Sequence, residues 1–353
     1  MFFLKMKKSL ALVLMGAALT GVVASFTSSA DAASSNLTVS TFGMSTKQMQ
    51  KDVLNPFAKV FGVKVKTQFG DSSTRLTQIE HNTNSGVDVI ELAQNNAMTG
   101  QQKKLFKKID TSKIKNYKYL STAQKKIVKQ TNSVPYTINS VGIIYNPKKV
   151  KINSWNDLWS KKLRNKIAIP DITTTFGPAM LYIAGDHAGK SVTSDNASAA
   201  FKAIKELKPN VVKTYTQSSD LTNMFKTGEI DAAVVGDYSV AMIKESNPNV
   251  KYLVPKSGTY ANYDTVSILK NSKNSAAAYK YINYRLSAKL QKKVANAKSL
   301  NNAPVNTSVK LSAEDAKNKT YGSIAKRAKT IDFSYVNSHL SKWIAKWNNI
   351  MNN

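Results

Sequence analysis

The chain has 353 residues, 51 Lys and Arg against 21 Asp and Glu, 42% hydrophobic residues and no cysteine. That length supports two domains with real cores, and the missing thiols exclude disulfides, cysteine nucleophiles, thiolate metal sites and lipid attachment through cysteine. A formal net charge of +30 favours polyanions, but only Arg75, Arg164, Arg285 and Arg327 are arginines; base reading and bidentate phosphate recognition rely on arginine, so scattered lysines argue for a solvated surface held to an anionic cell envelope and against specific nucleic-acid binding.

Residues 1–32 read as a secretory signal peptide. Lys5, Lys7 and Lys8 precede an apolar run from Leu10 to Phe26, and Ala30-Asp31-Ala32 supplies a small-x-small cleavage site. An uncleaved membrane anchor is the alternative, because the run is near the lower limit for a span. Without these residues the chain keeps 48 basic and 20 acidic side chains, a net charge of +28.

From Leu37 the pattern alternates. LTVSTFG is a predicted strand ending in a glycine turn, TKQMQKDVLNPFAKVF an amphipathic helix with Ser45 as its N-cap and Pro56 inside it, and VKVKTQF a second strand. DSSTRLTQIEHNTNSG reads as a Ser/Thr-capped helix, and VDVIEL as a strand carrying the turn AQNNAM. Such alternation implies a mainly parallel sheet with helices on both faces, whose ligands bind beyond the carboxyl ends of the strands. The loops starting at Thr41, Gln68 and Ala93 are nominated accordingly.

A second α/β unit is expected over about 136–263. SVPYTINSVGIIYN is read as a strand pair, SWNDLWSKKLRNKIAIPD as a helix and a strand, and TTTFGPAMLYIAG as a helix with Pro178 in its first turn. Further helices are SDNASAAFKAIKELKP, SSDLTNMFKTG and DYSVAMIKES, separated by the strands VVKTY and IDAAVVG. SAAAYKYINYRLSAKLQKKVANA reads as one long helix, and the chain finishes in the helical HLSKWIAKWNNIM. With no flexible linker between the units, extended strands must cross between them. PYTINSV and YANYDTV qualify, since each sets polar residues in an apolar run. Asp264, disfavoured inside a strand unless it caps it or finds a partner, thereby becomes a residue of the cleft.

The order of NPFAKVFGVKV, GVDVIEL, VPYTINSVGIIYNPKKV with SWNDLW, KIAIPD, FKTGEIDAAVV, VPKSGT and AAAYKYINYRLSAKLQKKVA with APVN resembles the extracellular solute-binding proteins of ABC importers, over nearly all of residues 37–308. The group includes polyamine, ferric-iron, thiamine and aminoethylphosphonate binders, and AQNNAM, PDITTTFG and YANYDTV look most like its polyamine-binding-like branch. The resemblance implies an α/β, two-lobed, periplasmic-binding-protein type II fold with mainly parallel sheets and two crossing strands. Expected lobes are 33–135 plus 264–302 and 136–263 plus 303–353.

It also implies that the carboxylate at Asp264 holds a ligand ammonium and that Ala93 to Asn95 line the first lobe. Departures are evident: Asn262 stands where an aromatic is expected, Gly236 where a tryptophan is, no acidic pair lies near Thr173–Phe176, and Asp237-Tyr238 replaces the tyrosine pair of iron receptors. The candidate ligand residues are Asp264, Thr41, Phe42, Gln94, Asn95, Thr174, Thr175, Asp237, Tyr238, Asn262 and Tyr263. An ordinary strand cap remains the other reading of Asp264, and helix starts at DSSTR and TTTFG keep anion binding open.

Enzyme motifs do not assemble. AGDHAGKS lacks the first glycine of a phosphate loop, His81, His187 and His339 have no metal-ligand spacing, and no nucleophile elbow occurs. The expected protein is a secreted, extracellular or envelope-associated receptor (periplasmic in a two-membrane organism). It captures a small amine-containing, polyamine-like solute by hinge closure, with no cofactor and no catalysis. Its expected partners are the small-molecule ligand and an ABC permease of the cytoplasmic membrane, with anionic envelope polymers as a further candidate; a monomer is expected. Iron, thiamine or phosphonate ligands, or surface adhesion without transport, are the alternatives.

Overall fold

The computed structural model describes residues 35–352, so the expected leader over 1–32 lies outside the described residues. Eleven strands form one curled mixed sheet: β1 Asn36–Phe42, β2 Lys64–Gly70, β3 Val89–Ala93, β4 Val134–Tyr145, β5 Ile167–Pro170, β6 Val211–Tyr215, β7 Ala232–Gly236, β8 Lys251–Leu253, β9 Thr259–Ile268, β10 Ala303–Pro304 and β11 Ala328–Thr330. The main path runs β2-β1-β3-β9-β4-β7-β5-β6. Pairing is parallel at both outer ends, β1 with β2 and β3 and β5 with β6 and β7, as helical crossovers require. Around β4 and β9 it is antiparallel, apart from the parallel pairing of β9 with β11.

The segment expected as a strand pair is a single twelve-residue strand, β4, and it changes company along its length. Val134–Ser140 pairs with β9, whereas Val141–Tyr145 pairs with β7. β9 behaves likewise, with Thr259–Ala261 beside β11 and Asp264–Ile268 beside β3. Both nominated crossings are thus real strands passing from one half of the sheet to the other. Each half has its own apolar core. Leu37, Val39, Phe57, Ile138, Tyr281 and Val305 belong to one; Val141, Ile169, Met180, Ile204, Val234 and Trp343 belong to the other.

The closing helix Phe333–Asn352 docks on the second core through Trp343 and Trp347, both essentially inaccessible. Removing either ring would cost about 3–5 kcal/mol, so the four-residue spacing serves packing.

Several local expectations are corrected. The long helix over 275–297 is two, Ser275–Arg285 and Ala288–Val294, because Ser287 leaves helical geometry and its hydroxyl accepts from the Leu290 amide. Ser45 caps nothing: it sits at φ 55, and its side chain makes no cap bond. Pro56 is accommodated by a wider turn over Gln50–Leu54 that precedes the α-helix Asn55–Phe61, since proline cannot donate to the preceding turn. SWNDLWSKKL forms two short 3-10 turns, Trp155–Trp159 and Lys161–Leu163, instead of a helix. Among the described residues no helix is long and apolar enough to cross a membrane.

Candidate functional site

The crossing strands bring polar side chains together where the two halves meet. Asn139 on β4 and Asn262 on β9 are cross-strand partners, and Asp264 follows Asn262 by two residues. Two residues along a strand share a face, so both amides reach the same carboxylate. Asn262 Nδ2 donates to Oδ1 of Asp264 at 3.1 Å, and Asn139 Nδ2 donates to Oδ2 at 3.1 Å. Asn262 is oriented in turn by the Gln94 amide, which donates to its Oδ1 at 3.2 Å.

Asp264 forms no ion pair with any described lysine, arginine or histidine. Burial pushes its carboxyl up to about 7; the Asn262 bond opposes this, Glu91 reinforces it, and Asn139 and Arg285 oppose it. The carboxylate is oriented by neutral donors and has no cation in direct contact.

Its neighbour Glu91 on β3 is fully buried and fully occupied. Arg285 Nε lies 2.8 Å from Oε1, the Tyr281 hydroxyl donates to Oε1 at 2.8 Å, and the Thr41 hydroxyl donates to Oε2 at 2.7 Å. Arg285 also stacks 3.8 Å above the Tyr136 ring. Arg75 ties the same region together, donating to the carbonyls of Gly70 and Glu91 at 2.9 and 2.7 Å and lying 5.1 Å over Phe42. Burial lowers its pKa to about 10, against the pull of Glu91. Thr41 and Phe42 therefore serve this internal network.

Gln94 and Asn95 begin the helix Gln94–Gln102 at the carboxyl end of β3. Asn95 Oδ1 is buried and has no hydrogen-bond partner, while the Asn95 carbonyl accepts from Asn337 Nδ2 at 3.0 Å. Asn337 belongs to the closing helix, so this bond joins the two halves.

On the second half, Gly236 ends β7 and makes room for two aromatic rings. A Cβ there would come within 2.5 Å of Tyr238 and 2.8 Å of Phe176, whose rings stack with centroids 6.1 Å apart. Burial raises the Tyr238 hydroxyl's pKa, the Ser218 bond opposes this, and the charge of Asp264 adds to the rise. The space beside Gly236 is filled by Tyr238 and Phe176.

Asp237 is spent on the fold. It accepts from the Ser140 amide at 3.3 Å and the Thr320 amide at 2.7 Å, fastening residues 319–320 to β4. Burial lifts its carboxyl to about 6 despite the Thr320 bonds. Thr174 closes its own turn, accepting from the Gly177 amide at 3.1 Å, and Thr175 follows it half-buried. Tyr263 points to the opposite face of β9 from Asp264, into the first core, with its hydroxyl bonded to Gln124 and raised to about 12 by burial.

Of the nominated residues, the geometry gathers Asp264, Asn262, Gln94, Asn95 and Tyr238 about the crossing and sends Thr41, Phe42, Asp237 and Tyr263 elsewhere. Asn139 and Phe176 join the site unpredicted. Asn139 was legible as the polar residue in PYTINSV, whereas Phe176 had no signal besides its place in TTTFG. Ser73 and Thr74, with Gln68, line a separate open groove of about 820 Å³ along the helix Ser72–His81. No group of three His, Asp or Glu side chains that could hold a metal occurs among the described residues.

Two half-sheets joined by crossing strands, with a polar floor at the junction, define a two-lobed solute receptor. The family model for bacterial extracellular solute-binding proteins matches residues 52–322. Over 260 residues the chain is 29% identical to spermidine/putrescine-binding periplasmic protein 1 of Haemophilus influenzae, covering 70% of this chain and 71% of that one. To the putrescine-binding periplasmic protein SpuD of Pseudomonas aeruginosa it is 28% identical over 272 residues, covering 69% and 72%. The crystal structure of an ABC transporter from Clostridium perfringens is 48% identical, with a TM-score of 0.81 over 89% of this chain and 99% of that one.

The chain belongs to the bacterial extracellular solute-binding protein family. It is a receptor of an ABC importer, acting outside the cytoplasm to bind a small solute and deliver it to a membrane permease, and it is not an enzyme.

Proposed function

We propose that this receptor captures a small solute bearing a primary ammonium group, polyamine-like in chemistry, with Asp264 as the ammonium acceptor. The carrying observation is a half-buried carboxylate that two amide donors orient and that makes no ion pair with any described cation. Such a group gains most from a ligand that brings both positive charge and N–H donors. Asn95 Oδ1, buried without a partner, is a second acceptor for the same end of the ligand. Tyr238 and Phe176 supply an aromatic wall from the other half, suited to a cation or its methylene chain.

Asn139, Asn262 and Gln94 act by orienting the carboxylate. Closure follows from ligand contacts on both halves, because only ligand affinity that differs between open and closed states shifts their populations. The polyamine names of the relatives agree with this chemistry. A ferric-iron cargo is disfavoured because Asp237-Tyr238 stands where the iron receptors carry a tyrosine pair.

A second element of the proposal concerns the exterior. The net charge of +28 outside residues 1–32 favours retention on anionic envelope polymers, and hinge capture within one chain needs no second copy, which fits a monomer.

Calorimetry against diamines, amino acids, dicarboxylates and phosphonates tests the ligand class. Binding is expected for solutes with an ammonium group and not for pure anions. Tight binding of an anion lacking an amine would refute the reading.

A further inference from the structure

The positive charge is unevenly shared between the two halves of the molecule. Residues 35–140 with 264–313 carry 25 basic and 7 acidic side chains, whereas residues 141–263 with 314–353 carry 23 and 13. Within the richer half, two stretches are nearly pure base: residues 111–130 hold six lysines and no acid, and residues 265–313 hold nine basic residues and no acid.

The fold sets these two stretches side by side. Asn116 Nδ2 donates to the Asn283 carbonyl at 2.9 Å, Asn283 Nδ2 donates to the Lys113 carbonyl at 2.8 Å, and the Asp110 amide donates to the Tyr279 hydroxyl at 2.9 Å. Lys113, Lys115, Lys118, Lys126 and Lys280 are all exposed on this ground, and Lys125 is half-buried beside them. Half-buried tyrosines hold some of the ammonium groups in place: Lys113 over Tyr279 at 5.5 Å, Lys118 over Tyr119 at 5.1 Å and Lys125 over Tyr117 at 5.6 Å. Asp110 lies 3.5 Å from Lys113 in an exposed pair, which offsets little of the charge, and Asp52 lies 3.0 Å from Lys293 of the second stretch.

We infer that this face docks a linear anionic polymer of the cell envelope, which locates the envelope-retention element proposed above and is independent of the captured solute. Three features favour a polymer. The cations are lysines, point charges on flexible stems that follow a chain of repeating anions without demanding a fixed geometry. The two arginines of this half, Arg75 and Arg285, are buried and committed to internal partners, so no bidentate reading device faces outward. Large exposed apolar side chains, which would wedge into a bilayer, are Met44, Val60, Phe69 and Val212, none of them in either stretch.

The test compares two charge-matched variants of the purified protein for binding to long-chain polyphosphate: K113E/K115E/K118E/K280E on this face and K161E/K162E/K202E/K205E on the other half. Each lysine near an anionic surface contributes about a fivefold factor, so the first variant is expected to lose at least about 100-fold and the second less than about 5-fold. Binding of the unaltered protein should vanish in about 1 M salt, where the screening length is about 3 Å. A parallel Lys→Gln set at the first four positions, with melting temperature and solute affinity unchanged, separates lost charge from lost fold.

Equal losses in the two variants would overturn the assignment in favour of diffuse charge. So would tighter binding to phosphatidylglycerol vesicles or to duplex DNA than to polyphosphate. Loss of solute binding in the unaltered protein, with polymer binding retained, would overturn the ligand proposal and leave this one standing.

Discussion

Glu91 and Asp264 lie on adjacent strands of one sheet, and they meet burial in opposite ways. Glu91 is neutralised by Arg285 and saturated by Tyr281 and Thr41. Asp264 has only the Asn139 and Asn262 amides, and its carboxyl rises to about 7 under burial. The first arrangement is complete in the apo protein and holds β1, β3 and the helix Ser275–Arg285 together. The second, on the proposed reading, is completed by a ligand ammonium. Glu91 acts as a fastening, and Asp264, half-buried and held by neutral donors alone, is the group proposed to receive the ligand.

The largest effect that would break this contrast lies at Glu91. Glu91→Ala leaves Arg285 buried without its partner, and losing one member of a buried pair costs about 3–5 kcal/mol. Thermal unfolding should show a large drop in Tm. A small drop would mean that Arg285 is not held by Glu91.

Asp264→Asn is expected to act in the opposite sense. Removing one partner of such a charge pair costs about 2–5 kcal/mol of binding, so affinity for an amine solute should fall at least about 30-fold in calorimetry. The apo Tm at neutral to alkaline pH should hold or rise, because the substitution removes a half-buried negative charge that makes no ion pair. A marked loss of apo stability would make Asp264 a second fastening.

Gly236→Ala comes next. The added methyl group would press on Tyr238 and Phe176, and overpacking of this kind costs about 1–3 kcal/mol. Solute affinity should drop while the first half of the molecule keeps its hydrogen-exchange protection.

Titration sharpens the comparison further. The folded-state pKa of Asp264 lies above its unfolded value, so its neutral form favours folding: that contribution is fully present below pH 3.8, the unfolded value, and disappears as pH rises towards 7. Amine affinity runs the other way, since the ionised form binds; below about pH 7 it should weaken about tenfold per unit. Both slopes should vanish in Asp264→Asn. The smallest expected effect is at Asn337, whose bond to the Asn95 carbonyl joins the halves. Asn337→Ala should change solute affinity by about fivefold, the equivalent of one neutral hydrogen bond.

Much of this was readable from the chain. PYTINSV and YANYDTV gave themselves away because a strand crossing between two cores keeps apolar residues for both while turning polar ones to the gap. That pattern located Asp264 and Asn262 together. What it could not give were partners far apart in sequence: Glu91 and Arg285 are 194 residues apart, and no local periodicity links them.

Thr41 and Phe42 were nominated by their position at a strand end, a rule that finds the loop but does not say which way each side chain turns. Tyr263 was nominated by proximity to Asp264, although one residue along a strand reverses the face. The vacant position at Gly236 read as a missing aromatic, and the rings that fill it come from Phe176 and Tyr238, which only the tertiary fold brings together. The helix break at Ser287 was hidden because good helix formers flank a residue that also caps well.

The most direct test is a crystal structure with the bound solute. The account predicts a ligand ammonium nitrogen within about 3 Å of the Asp264 carboxylate, with Asn139 and Asn262 still donating to it and Tyr238 against the ligand. A ligand seated in the groove beside Ser73 and Thr74, or one that leaves Asp264 bonded to the two asparagines alone, would contradict it.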